Sequence, residues 1–259
     1  MALPVDSSDD GYCEQFIDGT YFKDWAKPGY VDIKREFWQY QISVVFIDSD
    51  EEETINAVFD RLNRNGEPLS AQEFRKAMYS QYKLYELLST LPEVNPFNHI
   101  LNRLDKVRYE DIEYCSELYF SLAEGKVVDS NKSQLDLLYK KYFIDNAMDD
   151  ELMEGVKEAF IETASILDTL IKDMQLYYKN SVSHLYAMWM FAYYLFKDDK
   201  DVNLYKKCFL EFYTKVKLKE TNPYIQKYIQ SMQQSTKSIG SRKKRFEALL
   251  GYMKENVEK

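Results

Sequence analysis

Glycine and proline are scarce, 8 and 6 in 259 residues. Sandwiches, barrels and propellers turn every ~10 residues and spend glycine and proline on those turns, so an all-β architecture is excluded and a mainly helical chain is expected. Cysteine is scarcer still. Cys13, Cys115 and Cys208 lie about a hundred residues apart, an odd and dispersed set that makes no disulfide framework and fits a reducing, cytoplasmic compartment. The two histidines, His99 and His184, have no cysteine or carboxylate at ligand spacing, which argues against a zinc site. Long apolar runs are absent too. The longest uncharged one, residues 185–196 (LYAMWMFAYYLF), is shorter than the ~18 residues of a spanning helix, so it is expected to be a buried core helix and no membrane partner is expected. The opening Met1-Ala-Leu-Pro-Val-Asp turns acidic where a signal peptide is basic and then apolar. Neither GxxxxGK[ST], GxGxxG nor GxSxG occurs, so phosphate-loop, dinucleotide and hydrolase-elbow readings have no support and no cofactor is expected.

What is abundant is aromatic side chain and charge. With 45% hydrophobic residues, 22 Tyr and 15 Phe, the chain can bury a sizeable core. Its 43 acids and 34 bases leave a net charge of −9, but unevenly. Residues 1–60 carry 4 bases against 14 acids, residues 61–196 carry 15 against 21, and residues 197–259 carry 15 against 8. An acidic head and a basic tail either dock on each other or leave the tail for a phosphate-bearing partner.

Local signals divide the chain near residue 50. Before it, Asp18-Gly19 between short apolar runs reads as a tight turn, residues 32–40 as helix-compatible, and the β-branched run 42–47 as a buried strand. The expectation is a small α/β remnant over 1–50 and a helical domain over 51–259: a mostly α fold of α+β type, ending in a multi-helix bundle. Ile55, Val58, Phe59 and Leu62 share one helix face, Asn65-Gly66 stops that helix, and Pro68 with the capping box Ser70 to Glu73 starts the next. Further helices are expected at 109–124, ended by Gly125, at 133–143, at 150–178 with Leu152, Val156, Phe160, Leu167, Leu170 and Met174 inward, and at 182–196, 201–217 and 240–256. A short one opens at Asn222-Pro223.

Carboxylates are too plentiful for spacing to select a general acid or base. One basic cluster is sharper. Lys237, Arg242, Lys243, Lys244 and Arg245 fall within nine residues without an intervening acid, at a helix start where free N–H groups and clustered cations can hold phosphate. The alternative is a solvated or acid-paired helix end.

Residues 59–79, FDRLNRNGEPLSAQEFRKAMY, resemble the signature of the GmrSD-type restriction endonuclease N-terminal domain family, Phe-x-x-Leu-Asn-x-x-Gly-x-Pro-Leu-x-x-x-Glu-x-Arg. Phe59, Leu62, Asn63, Gly66, Pro68, Leu69, Glu73 and Arg75 occupy its named positions. Gly19, Phe22 and Asp24 are similar to the family's Gly-x-x-Phe-x-Asp turn, residues 41–47 to its following strand, and Asp111, Ser241, Arg242 and Arg245 are compatible with later positions. The resemblance implies a ParB/sulfiredoxin-like α/β core bearing Asp-Gly-Gln-Gln-Arg, tied to nucleotide hydrolysis or nuclease-linked defence against foreign DNA. Asp10-Gly11 and Asp18-Gly19 are not followed by Gln-Gln-Arg, and no histidine after His184 offers a His-Asn-His nuclease pattern. Three explanations stand: truncation, a core on a separate polypeptide, or a scaffold kept in a non-catalytic role.

Three functions are therefore expected to compete. The first is a helical interaction module of a restriction or phage-defence protein, binding a partner chain or the α/β half and prone to self-association. The second is an NTPase or nuclease subunit lending Asn63, Arg75 or the 242–245 cluster to an active site completed elsewhere. The third is a weak DNA-binding module. Within the signature, Phe59 and Leu62 suit a core, while Gly66, Pro68, Ser70 and Glu73 punctuate helices. Asn63 either caps a helix or, with Arg75, contacts a ligand or the α/β half.

Overall fold

The computed structural model describes residues 20–41, 69–145, 147–175, 178 and 181–258. The chain divides into two units, residues 1–65 and 66–259. The run 42–47, the 55–62 helix, Asn63, Gly66, the Asp18-Gly19 turn and Cys13 lie outside the described residues.

In the first unit, residues 20–41 hold two 3-10 turns, Phe22–Ala26 and Pro28–Tyr30, and helix α1, Val31–Gln39. Asp24 closes the first turn by accepting from the Tyr21 N–H at 3.1 Å, and pairs with Lys27 at 3.0 Å. Trp25 is buried against Phe22 and Phe37, with ring centroids 5.6 Å away in both cases.

The second unit is a mostly α multi-helix bundle. Among the described residues its α-helices are α2 (Ala71–Tyr79), α3 (Lys83–Thr90), α4 (Phe97–Ile100), α5 (Glu110–Ala123), α6 (Lys132–Lys140, continued by a π turn at Lys141–Asp145), α7 (Asp150–Ile171), α8 (Val182–Lys197), α9 (Val202–Leu218), α10 (Pro223–Gln230) and α11 (Ile239–Val257). Among the described residues there is no strand, and no helix is long and apolar enough to cross a membrane.

Local chemistry sets the helix ends. Ser70 Oγ accepts from the Glu73 N–H at 3.2 Å while Glu73 Oε2 accepts from the Ser70 N–H at 2.6 Å, so the capping box satisfies two donors at the α2 start. Gly125, at φ +63°, closes α5. Its N–H donates to the Leu122 carbonyl at 3.0 Å and that of Lys126 to Ser121 at 3.1 Å, a Schellman arrangement. Asn222 Oδ1 caps α10 by accepting from Tyr224 N at 2.9 Å, with Pro223 at the first helical position.

Helix α8 is apolar all round, and such a helix must be buried. It lies in the core between α7 and α11. Trp189, fully enclosed, packs on Phe160 at 4.8 Å and Phe97 at 5.6 Å between centroids, and donates its indole N–H to Ser121 Oγ at 3.2 Å. Two details depart from the sequence expectation. Helix α7 ends at Ile171, short of the residue 178 expected, and Leu152, assigned inward, is exposed in its first turn; Val156, Phe160, Leu167 and Leu170 carry the buried stripe.

Candidate functional site

One face of α5 carries Glu110, Glu113 and Glu117 at i, i+3 and i+7, which a 3.6-residue period brings into one row. Two buried arginines meet this row. Arg75, from α2, is enclosed to 1% exposure. It pairs with Glu113 at 2.7 Å and with Asp136 of α6 at 2.7 Å, and donates to Gln72 Oε1 at 3.2 Å and to the Lys132 carbonyl at 3.3 Å. Its guanidinium lies 5.3 Å from the centroid of the Tyr139 ring. These contacts tie α2, α5 and α6 into one joint. Glu73, two residues away, pairs with Arg108 at 2.9 Å besides serving the capping box.

Arg242, in the second turn of α11, reaches Glu117, and both side chains are below 5% exposure. The Arg242 guanidinium also donates to the Val128 carbonyl at 3.1 Å and lies over the Tyr186 ring at 3.8 Å from its centroid. Burial pushes the Glu117 carboxyl up, and Arg242 only partly opposes it; on Arg242, burial acts downward, and Glu117 together with Tyr186 and Tyr114 outweighs it and holds the guanidinium above its ordinary range.

Between the α5 row and the start of α11 lies a cavity of about 70 Å³, walled by Glu110, Glu113, Glu117, Ser183, Lys237 and Arg242 among others. Ligand sites run to roughly 300 Å³ and more, so this space suits a few waters and no substrate. The charges at its wall act on one another, and the arrangement is a polar joint between helices. Among the described residues no group of three or more His, Cys, Asp and Glu is placed to hold a metal.

The structure separates the basic cluster that composition had grouped. Arg242 and Arg245 are 3% and 0% exposed, whereas Lys237, Lys243 and Lys244 face solvent. Arg245 donates to the Ser231 carbonyl at 3.0 Å and to that of Thr236, while its Nε has no partner. The expectation of phosphate contact is corrected for Arg242, which is acid-paired as the alternative reading had it, and for Arg245, which is held by backbone carbonyls; such contact is left to the three lysines. The physical reason is register, because Arg242, Arg245, Leu249 and Tyr252 continue one inward stripe of α11. Glu113, Glu117, Asp136 and Tyr186 were not singled out from the sequence. The signal that could have found the first two is the Glu110, Glu113, Glu117 spacing itself.

His184, the residue before the apolar run, is buried. Its Nδ1 lies 2.8 Å from the Tyr228 hydroxyl, and its ring stacks on Tyr228 with centroids 5.6 Å apart. Burial, with the Arg245 charge nearby, lowers its pKa from 6.5 to about 4. Protonation is therefore resisted in the folded state. The stability this group contributes is fully present above pH 6.5 and is lost as the pH falls through about 4, amounting to about 3 kcal/mol. In His184→Gln the acid-side slope of unfolding free energy against pH is expected to fall by up to about one proton; urea unfolding from neutral to acid pH measures it, and an unchanged slope would refute the assignment.

No family model, curated protein or solved structure matches the chain.

Proposed function

We propose that this chain is the helical portion of a GmrSD-type restriction or phage-defence protein of the cytoplasm, serving as an interaction module without a catalytic motif of its own. Arg75 is the observation that carries this reading. It is the signature residue with no local helical task, and its guanidinium is occupied by Glu113, Asp136, Gln72 and the Lys132 carbonyl. A side chain so committed works as a joint and is not free to meet nucleotide. The module's partner would be the α/β core bearing Asp-Gly-Gln-Gln-Arg, on the same or another polypeptide; an open frame encoding that motif directly upstream of the Met1 codon would establish the former.

The purified chain is expected to hydrolyse ATP and GTP no faster than buffer. Turnover that survives repurification and vanishes in a folded Arg75→Lys variant would instead favour the competing reading, a subunit contributing to a composite NTPase or nuclease site. Weak DNA binding is a further reading, favoured by the solvent-facing Lys237, Lys243 and Lys244. With three cations, the slope of log affinity on log salt for duplex DNA would not exceed roughly 2.7 in magnitude, readable by fluorescence anisotropy.

A further inference from the structure

A larger groove, about 430 Å³, opens between the end of α5, the C-terminal half of α8 and the first half of α11. Ligand pockets fall in the range of roughly 300–1,000 Å³, so its volume suits a small molecule, unlike the cavity at the polar joint. Met190 is buried at 4% exposure, and Tyr193, Tyr194 and Phe246 stand around it partly exposed. The Tyr194 ring is already met by Lys254 at 5.1 Å and its hydroxyl donates to Glu258 at 2.9 Å, which leaves Tyr193 and Phe246 as the aromatic surface on which a flat ring can pack. Three exposed lysines, Lys126, Lys197 and Lys243, line the same groove. Lys126 pairs with Glu124 at 3.1 Å, whereas Lys197 and Lys243 have no ion pair among the described residues. The one carboxylate of the lining, Glu247, is held by Lys227 at 2.7 Å.

Helix electrostatics account for only part of this charge. Lys197 closes α8, where a cation is favoured by the carbonyl end of the helix. Lys243 lies near the start of α11, a helix with no acid in its first turn, where the dipole disfavours a cation and favours an anion. In a chain of net charge −9, two unpaired lysines in the lining of an aromatic depression are a local excess of cations, with the carboxylates of Asp198 and Glu258 at its edge on the Tyr194 hydroxyl.

We propose that this groove binds a flat aromatic anion of the size and charge of a nucleoside monophosphate. The ring lies against Tyr193 and Phe246, and the anionic group meets Lys197 and Lys243. Binding involves no reaction and does not depend on the module function proposed above.

Calorimetric titration of the full chain with AMP, adenosine and inorganic phosphate tests the site. Saturable one-to-one binding of AMP is expected, with adenosine and phosphate each at least about tenfold weaker, because each supplies only half of the recognition. Lys197→Glu/Lys243→Glu is expected to weaken AMP at least about tenfold while leaving the melting temperature unchanged, since both lysines are exposed and unpaired. Should that variant melt early, the single Lys243→Gln, expected to lose affinity in the same direction, carries the test. Absence of saturation by AMP at millimolar concentration, equal affinity in the folded charge variant, or phosphate binding as tight as AMP would overturn the proposal.

Discussion

Glu117→Ala is expected to destabilise the helical unit by about 3–5 kcal/mol, because it leaves the Arg242 guanidinium buried without its counter-charge. The pair is enclosed on both sides, and the cost of stranding one buried charge exceeds what the intact pair contributes. For a unit of this length the loss corresponds to a melting temperature lower by about 10 °C. Arg242→Glu is expected to be worse, since it places two carboxylates in the same enclosed space. The double variant Glu117→Leu/Arg242→Met should recover most of the loss, because apolar residues of similar volume replace a buried ion pair at little cost. Thermal and urea melts of the single and double variants form the cycle that measures the coupling. A single-variant loss below about 1 kcal/mol would mean that solvent screens the pair as at a surface. A consequence follows for any test of DNA binding. Reversing Arg242 and Arg245 to Glu, a benign choice if both were surface cations, would unfold the protein, and Lys237, Lys243 and Lys244 are the positions to reverse.

Trp189→Ala is expected to cost about 3–5 kcal/mol through the cavity it opens beside Phe97 and Phe160. The lost hydrogen bond adds little, because Ser121 Oγ still donates to the Leu118 carbonyl at 2.6 Å. Trp189→Phe should therefore lose much less than Trp189→Ala, a difference that separates volume from hydrogen bonding. Urea unfolding with an unchanged denaturant slope would confirm that the native state is weakened without loss of compactness. Equal losses in the two variants would assign the effect to the indole N–H instead.

These two residues were not equally legible beforehand. Trp189 belongs to a run with no charge over residues 185–196, and a helix without a polar face has nowhere to lie except the interior. Arg242 belongs to a run of cations, and composition left phosphate, solvent and an acidic partner all open without naming the acid. Its burial depends on Glu117, 125 residues earlier in the chain, and no period or cap of α11 carries that information. Arg75 repeats the lesson: its segment was legible as a helix with a capping box, whereas its partners Glu113 and Asp136 lie 38 and 61 residues away. Helix α3 carries no such local signal, because its N-cap residue, Tyr82, makes no capping hydrogen bond.

By itself, then, the sequence determined the mostly α class, the helix ends at Ser70, Gly125 and Asn222, and the burial of α8. Each rests on groups within a few residues of one another, where a cap, a left-handed glycine or a helical period acts on its own neighbours. The tertiary structure alone decided which charges are spent inside the bundle, that Leu152 faces out, and that Tyr193, Tyr194 and Phe246 line one groove with Lys197 and Lys243. Those outcomes depend on which helix faces meet, and a charge enters the interior only where a distant side chain arrives to neutralise it.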